Sequence, residues 1–269
     1  MSRTSYYCPR TIRLSADQQA VERLLIAHQE HPFYGVRRLA LHLGWGENKT
    51  RRIRTKAGVV IPTPSKKRRT QRGAAQISAP PNILQRYATF RNQERPQDGM
   101  DYSGMLELNA WVQDFTYLWF QGSWYYLAVV LNLKTRQVVG WALGTRHSSE
   151  LTLAALQDAL RKHPPPAILH SDQGSEYLSY AHQLLCERYE IQLSASAKSS
   201  PWQNGFMETW FRGFKLELGS LNQFQDLAQL HEAVALQIYY YNTERIHSAL
   251  GMSPAAYAAS LIAATPQQA

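Results

Sequence analysis

The sequence predicts an α/β protein in two parts: a small all-α module, then a mixed five-stranded sheet flanked by helices. Three observations predict it. Apolar residues recur at helical spacing through roughly the first sixty positions. Near Met105 the texture changes to runs rich in β-branched and aromatic residues. The later runs alternate with helical patterns, as in a sheet covered by helices. The corresponding boundaries are 1–60 for the helical module, 61–104 for a linker and 105–269 for the sheet with its C-terminal helices.

Within the module, Ser15 and Gln18 form a candidate capping box, followed by an apolar stripe of Ala20, Val21, Leu24 and Leu25. A second helix is expected from about Tyr34, with Val36, Leu39, Ala40 and Leu43 inward and a stop at Gly44. Asn48 is the expected cap of a third helix, NKTRRIRTKAG, ending at Gly58. Two short helices around a glycine turn, the second basic, fit a helix-turn-helix, although any three-helix bundle has the same periodicity. The DNA-binding version rests on Lys49, Arg51, Arg52, Arg54 and Lys56, which face either phosphates or solvent. From Ile61 to about Asp101, Pro, Gly and charge dominate, with one short helix expected at NILQRYATF.

LNAWVQDFTYLWF, SWYYLAVVLNL and QVVGWALG then predict three strands of an antiparallel meander. SSELTLAALQDALRKH predicts a helix with Leu151, Ala154, Ala155 and Leu160 among its apolar positions. PPPAILHSDQG is a short strand ending in a polar turn, SYAHQLLCERY another helix and IQLSAS the fifth strand.

The net charge of +9 is concentrated. Nine Lys or Arg and no acid lie between Arg51 and Arg72, including Lys66, Lys67, Arg68 and Arg69, which leaves 20 of the 29 bases against 20 acids elsewhere. Such a run draws a polyanion by counterion release, so the expected partner is nucleic acid; a solvated linker is the alternative. No apolar run is long enough to span a bilayer and the first residues lack a signal-peptide core, so the expectation is a soluble cytoplasmic protein with no membrane partner. Cys8 and Cys186 lie far apart without paired Cys/His spacing, and indicate neither a disulfide framework nor a zinc site.

Three acids occupy unusual positions. Asp114 lies inside the first strand among apolar neighbours, where a lone carboxylate is costly unless compensated. Asp172 stands where the fourth strand ends, a frequent place for ligand-binding groups. Glu208 begins a helix whose Met207, Phe211, Phe214 and Leu218 form a buried stripe, while Asn204, Glu208 and Lys215 share the adjacent face. Convergent carboxylates from two strands and a helix suit a hard divalent cation; a surface salt bridge gives Glu208 the same local pattern.

WVQDFTY, YLAVVLNLKTRQVVGWAL, HSDQGSEY, PWQNGFMETWFRGFKLE and YNTERIHSALGMSPAAY, in this order, resemble the catalytic domain of bacterial insertion-sequence transposases of the retroviral-integrase superfamily. The likeness is to the downstream-frame (OrfB-type) product of two-frame elements. It runs from about residue 105 to 258, and HPFYGVRRLALHL resembles the preceding helix-turn-helix of that family. Between Asp172 and Glu208 lie 35 residues, the spacing that names the superfamily's triad.

The resemblance implies a ribonuclease-H-like core that binds two Mg2+ (or Mn2+) through Asp114, Asp172 and Glu208. It cleaves insertion-sequence ends and joins a 3′ hydroxyl to target DNA. It also implies DNA contact by Lys215, double-stranded terminal repeats and target DNA as partners, a homo-multimer on paired ends and an upstream-frame protein or fusion. Asn204 with Gly205 serves either DNA approach or helix capping. Arg245, in the signature Tyr241, Asn242, Arg245, His247, serves DNA or packing, and His170 has no derivable role beyond a structural one. The loop KSSPWQNG departs from the family's KGNPYDNA form without touching the ligand positions. A nuclease that does not join ends would use the same acids, and a non-catalytic DNA-binding regulator would use only residues 15–58 and the basic run.

Overall fold

The computed structural model describes residues 10–62, 79–87, 89–90, 94, 100–101, 109–196 and 204–264. Chain contacts divide it into two compact units, Met1–Ser65 with Arg245–Ser253, and Lys66–Glu244 with Pro254–Ala269. Lys66, Lys67, Arg68 and Arg69 lie outside the described residues.

In the first unit, α1 (Arg10–Glu30), α2 (Val36–Leu43) and α3 (Glu47–Lys56) enclose two small apolar clusters, one of Ala20, Leu24 and Ile53, the other of Ala27, Tyr34 and Leu39. Helix α1 is already under way at Arg10, with no Gly or Pro to stop it before Ser15, so the capping-box expectation for Ser15 is corrected. Helix α2 ends as expected at Gly44, whose φ of 67° is the left-handed conformation that glycine adopts without strain. The N-cap of α3 is Gly46 rather than Asn48; the Thr50 N–H donates to the Gly46 carbonyl at 3.1 Å, while Asn48 Oδ1 accepts from Arg51 Nη1 at 3.3 Å. Segment Arg245–Ser253 joins this unit through Ile246, which packs on the Ala27 cluster and donates its N–H to Tyr34 Oη at 2.7 Å.

The second unit is built on β1 (Ala110–Phe120), β2 (Ser123–Asn132), β3 (Val138–Gly144), β4 (Ile168–Ser171) and β5 (Gln192–Ala195), in spatial order β3-β2-β1-β4-β5. The first three form the expected antiparallel meander; β4 joins β1 and β5 joins β4 in parallel, giving the ribonuclease-H-like mixed sheet that the resemblance implies. The register of β2 against β3 shifts at Val130/Leu131, a bulge that periodicity does not reveal.

Side-chain alternation along β1 sets the two faces. Trp111 packs with Ala128, Val130, Leu156 and Cys186 under α4 (Ser149–Lys162) and α5 (Tyr180–Arg188). Ala110, Val112, Leu118 and Phe120 face the other way, with α6 (Gly205–Leu218) and α7 (Leu227–Thr243). Helix α8 (Pro254–Ala264) packs on α7. On α4 the buried residues are Leu151, Thr152, Ala155, Leu156 and Ala159; Ala154, expected inward, is exposed, and Leu160 is half-buried.

The segment NILQRYATF forms only a 3-10 turn at Leu84–Tyr87, and Thr89–Phe90 pairs antiparallel with Met100–Asp101. Ile83 and Leu84 are buried and donate their N–H groups to Ser194 Oγ at 2.9 and 3.4 Å. No helix among the described residues is long and apolar enough to cross a membrane.

Candidate active site

The strands place the first two acids by parity. On β1, Asp114 lies two residues beyond Val112, so it projects to the α6 face. The β1–β4 ladder pairs Ala110 with Ile168, Trp111 with Leu169 and Val112 with His170. Asp172 follows β4 directly, two residues past the last pair, and its charge and that of Asp114 both act on the buried Tyr177 hydroxyl. Ile168 belongs to the α6-side core, so Asp172, four residues on, has the parity of that face.

Each acid is held by local donors. Asp114 Oδ1 accepts from the Phe115 N–H at 2.8 Å, and Oδ2 from Asn204 Nδ2 at 3.3 Å. Asp172 Oδ1 accepts from the Gly174 N–H at 2.9 Å, a tight turn of the kind aspartate favours. Asp172 keeps an exposed surface, yet protein packed around its carboxyl partly dehydrates it and raises its pKa; the Gly174 hydrogen bond opposes the shift, Glu176 adds to it and His147 opposes it.

Glu208 sits in the first turn of α6, where the positive end of the helix favours a carboxylate. Burial of Met207, Trp210, Phe211, Phe214 and Leu218, each worth about 1.5–3 kcal/mol, fixes the rotation of α6 and leaves Glu208 exposed beside its packed stripe. Lys215 is exposed two turns later on the same side. Carboxylate oxygens of Asp114, Asp172 and Glu208 are not all within 4.8 Å of one another.

Asn204 is the N-cap residue of α6 by position, yet its side chain caps nothing. It is turned to Asp114 and buried, and its Oδ1 has no hydrogen-bond donor. Sequence patterning also missed Glu176, Tyr177 and His147. Buried Glu176 accepts at Oε1 from His147 Nε2, 2.9 Å away, and its carboxylate fills the space that a Cβ on Gly174 would need. The Tyr177 hydroxyl is fully buried without a hydrogen-bond partner; burial first, then the charges of Asp114, Asp172 and Glu176, push its pKa far up and keep it protonated. The only advance sign of this group was an acid four residues after Asp172 in HSDQGSEY.

His170 is structural. Its two ring nitrogens meet Ser194 Oγ and Ser196 Oγ, each at 2.9 Å, and burial lowers its pKa to about 4. The C-terminal signature divides: Tyr241 Oη donates to the Arg136 carbonyl at 2.9 Å and Asn242 bonds both the N–H and the C=O of Val138, whereas Arg245 lies in the helical unit.

On α3 the basic residues have protein partners. Arg52 donates to both Asp17 oxygens at 2.7 and 2.9 Å, Lys56 donates to Asp17 Oδ2 at 3.0 Å, and the Lys49 ammonium lies 4.4 Å over the Trp45 ring. Arg51 is bonded to Asn48 and Arg54 is half-buried.

Residues 107–201 and 189–254 match two family models, both described as integrase core domain. A 31 kDa uncharacterized protein of insertion element IS600 from Shigella sonnei is 32% identical over 271 residues, which is 96% of this chain and 94% of that protein. The transposase of insertion sequence IS904 from Lactococcus lactis is 35% identical over 144 residues, 52% of this chain and 57% of its own length. The fold is shared with a chain of the simian T-cell lymphotropic virus intasome, solved in complex with PP2A regulatory subunit B56 gamma (TM-score 0.50, 16% identity, 91% of this chain and 76% of that one). With a sheet of this order and a near-full-length relative from an insertion element, the chain belongs to the insertion-sequence transposases, polynucleotidyl transferases of the DDE type with an integrase-like core.

Proposed function

We propose that Asp114, Asp172 and Glu208 are the metal-binding acids of this transposase, and that they serve cleavage of insertion-sequence ends followed by strand transfer into target DNA. The observation that carries this is that Asp114 and Asp172 both act on the buried Tyr177 hydroxyl, while Asn204, at the start of the helix that presents Glu208, bonds Asp114. The donor set is all carboxylate oxygen, the choice of Mg2+ or Mn2+. Asn204 Oδ1 and Tyr177 Oη, polar atoms buried without partners, suit the water shell of such a cation. Asp114, Asp172 and Glu208 would hold two such ions, whose chemistry would be charge stabilisation of an in-line phosphoryl displacement.

The chain's own groups set the rest. Asn204 and the Phe115 N–H hold Asp114 in one orientation, and Gly174 holds Asp172. Tyr177, kept protonated, adds no charge of its own among the acids. In strand transfer the element's 3′ hydroxyl attacks a target phosphodiester; a new P–O bond forms as the P–O3′ bond of the target breaks, and no side chain becomes covalently attached. Lys215 and Arg245, together with Lys49, Arg51, Arg52 and Arg54 of α3 and the basic run from Lys66 to Arg69, serve the DNA backbone. Joining of two ends calls for a multimer, with an upstream-frame protein supplying end recognition.

The test is magnesium-dependent joining of a labelled terminal-repeat oligonucleotide to plasmid DNA, comparing the wild type with Asp114→Ala, Asp172→Ala and Glu208→Gln. Loss of about a thousand-fold or more in each variant is expected, since several kcal/mol of charge stabilisation disappears with a ligand. Full joining by Asp172→Ala would overturn the assignment. Cutting without joining by the wild type would identify a nuclease, and DNA binding with neither reaction a regulator.

A further inference from the structure

We propose a second, cysteine-free cation site of the zinc type in the helical unit, formed by Glu30, His31 and His42. One ligand atom from each of these residues lies within 4.8 Å of the other two, the single such group of His, Cys, Asp and Glu among the described residues. Glu30 ends α1 and His31 follows it, its N–H donating to the Ala27 carbonyl at 3.0 Å. The His31 ring is stacked on Tyr34 with centroids 4.3 Å apart and planes 8° off parallel, and Tyr34 is itself buried, so that ring has a fixed support. His42, in the last turn of α2, meets His31 edge-on at 4.9 Å, and its Nε2 is 3.8 Å from Glu30 Oε2.

Two imidazoles and one carboxylate are a ligand set that zinc accepts, with a fourth position left for water or another ligand. Magnesium, which prefers oxygen throughout, does not suit it. Tetrahedral zinc needs its ligand atoms roughly 3.3 Å apart. The gaps here therefore close by rotamer adjustment of Glu30 and His42, both of which have side chains open to solvent. Electrostatics favour a cation independently of the ligands. Both α1 and α2 end at this spot, so the negative ends of two helix dipoles meet beside the Glu30 carboxylate. Arg38, over the Tyr34 ring at 5.2 Å, brings one opposing positive charge. A Glu30–His42 ion pair uses two of the three residues, and the stacking of His31 on Tyr34 keeps the third ring beside them. A bound cation would fasten the corner between α1 and α2, where Tyr34 also receives the Ile246 N–H.

The experiment uses the full untagged chain carrying Asp172→Ala and Glu208→Gln, which removes the acidic site from the count. Zinc is titrated by equilibrium dialysis, and Co2+ by its visible absorption. The expected result is one zinc per chain, with at least ten-fold weaker binding in His42→Gln and in His31→Gln, and a zinc-induced rise in melting temperature that both substitutions abolish. Circular dichroism confirms that the variants keep their helices. Absence of zinc binding in the parent, or equal binding in parent and His42→Gln, overturns the site.

Discussion

Asn204 occupies the position that normally caps a helix and instead donates its side-chain amide to Asp114 Oδ2, 3.3 Å away on the central strand. The start of α6 is thereby tied to the sheet by a charge-assisted hydrogen bond, and the orientation of Asp114 depends on where α6 begins. Removing a hydrogen bond to a charged group costs on the order of 1.5–3 kcal/mol. Asn204→Ala is therefore expected to lower strand transfer by about ten-fold, to raise the magnesium concentration needed for half-maximal rate, and to lower the melting temperature by several degrees. An unchanged magnesium dependence would show that Asp114 needs no such support.

Gly140 marks a close approach of β3 to α4. A Cβ there would come within 3.0 Å of the Ala155 carbonyl oxygen, the Ala159 nitrogen and the Ala159 methyl, of which the first two are backbone and cannot swing aside. Gly140→Ala is expected to destabilise the protein by about 1–3 kcal/mol or more, measured as a lower urea midpoint at unchanged slope. A variant as stable as the wild type would mean that α4 shifts freely.

Acid should weaken the fold through two neutral histidines. Burial lowers the pKa of His170 and of His182 from the ordinary 6.5 to about 4. His182 Nε2 donates to Gln113 Oε1 at 3.0 Å, and the Gln113 amide in turn donates to the Thr152 carbonyl at 2.7 Å. Between pH 6.5 and 4 the unfolded chain takes up protons that the folded chain refuses. Stability is therefore complete above about 6.5 and declines as the pH falls, by on the order of 3 kcal/mol per histidine. Urea unfolding at stepped pH measures the slope, and His170→Gln should flatten it.

Asp17 pairs with Arg52, one of the cations proposed to meet DNA, and with its neighbour Lys56. Arg52 first, then Lys56, keep its carboxyl well below the usual carboxylate range, so the pairing persists across ordinary pH. Asp17→Asn should release both and strengthen non-specific duplex binding several-fold at low salt, with a salt slope steeper by about one to two. Anisotropy titrations at several salt concentrations would show it. Identical slopes would remove α3 from the DNA-facing surface.

What sequence pattern could reveal follows from how local each signal is. The three meander strands declare themselves by aromatic and β-branched runs, and Met207, Phe211, Phe214 and Leu218 recur at helical spacing, so the side of α6 carrying Glu208 was legible. Asp172 at a strand end was legible for the same reason. The partnership of His147 with Glu176 was not, because it joins the loop after β3 to the turn after β4, 29 residues apart. Asn204 misleads locally, since its intrinsic preference is to cap; only the tertiary position of Asp114 redirects it. Ser15 and Asn48 likewise look like helix starts, but the chain upstream is free to continue the helix or to begin it at a glycine.

The return of Arg245–Ser253 to the helical unit bears on the order in which the protein is made. Tyr34 emerges from the ribosome early, whereas the backbone group that donates to it, the Ile246 N–H, is synthesised more than two hundred residues later. Until then the cluster of Ala27, Tyr34 and Leu39 lacks Ile246 as a neighbour. The helical unit can therefore close fully only after the whole sheet has been translated, which couples the timing of its maturation to that of the catalytic core.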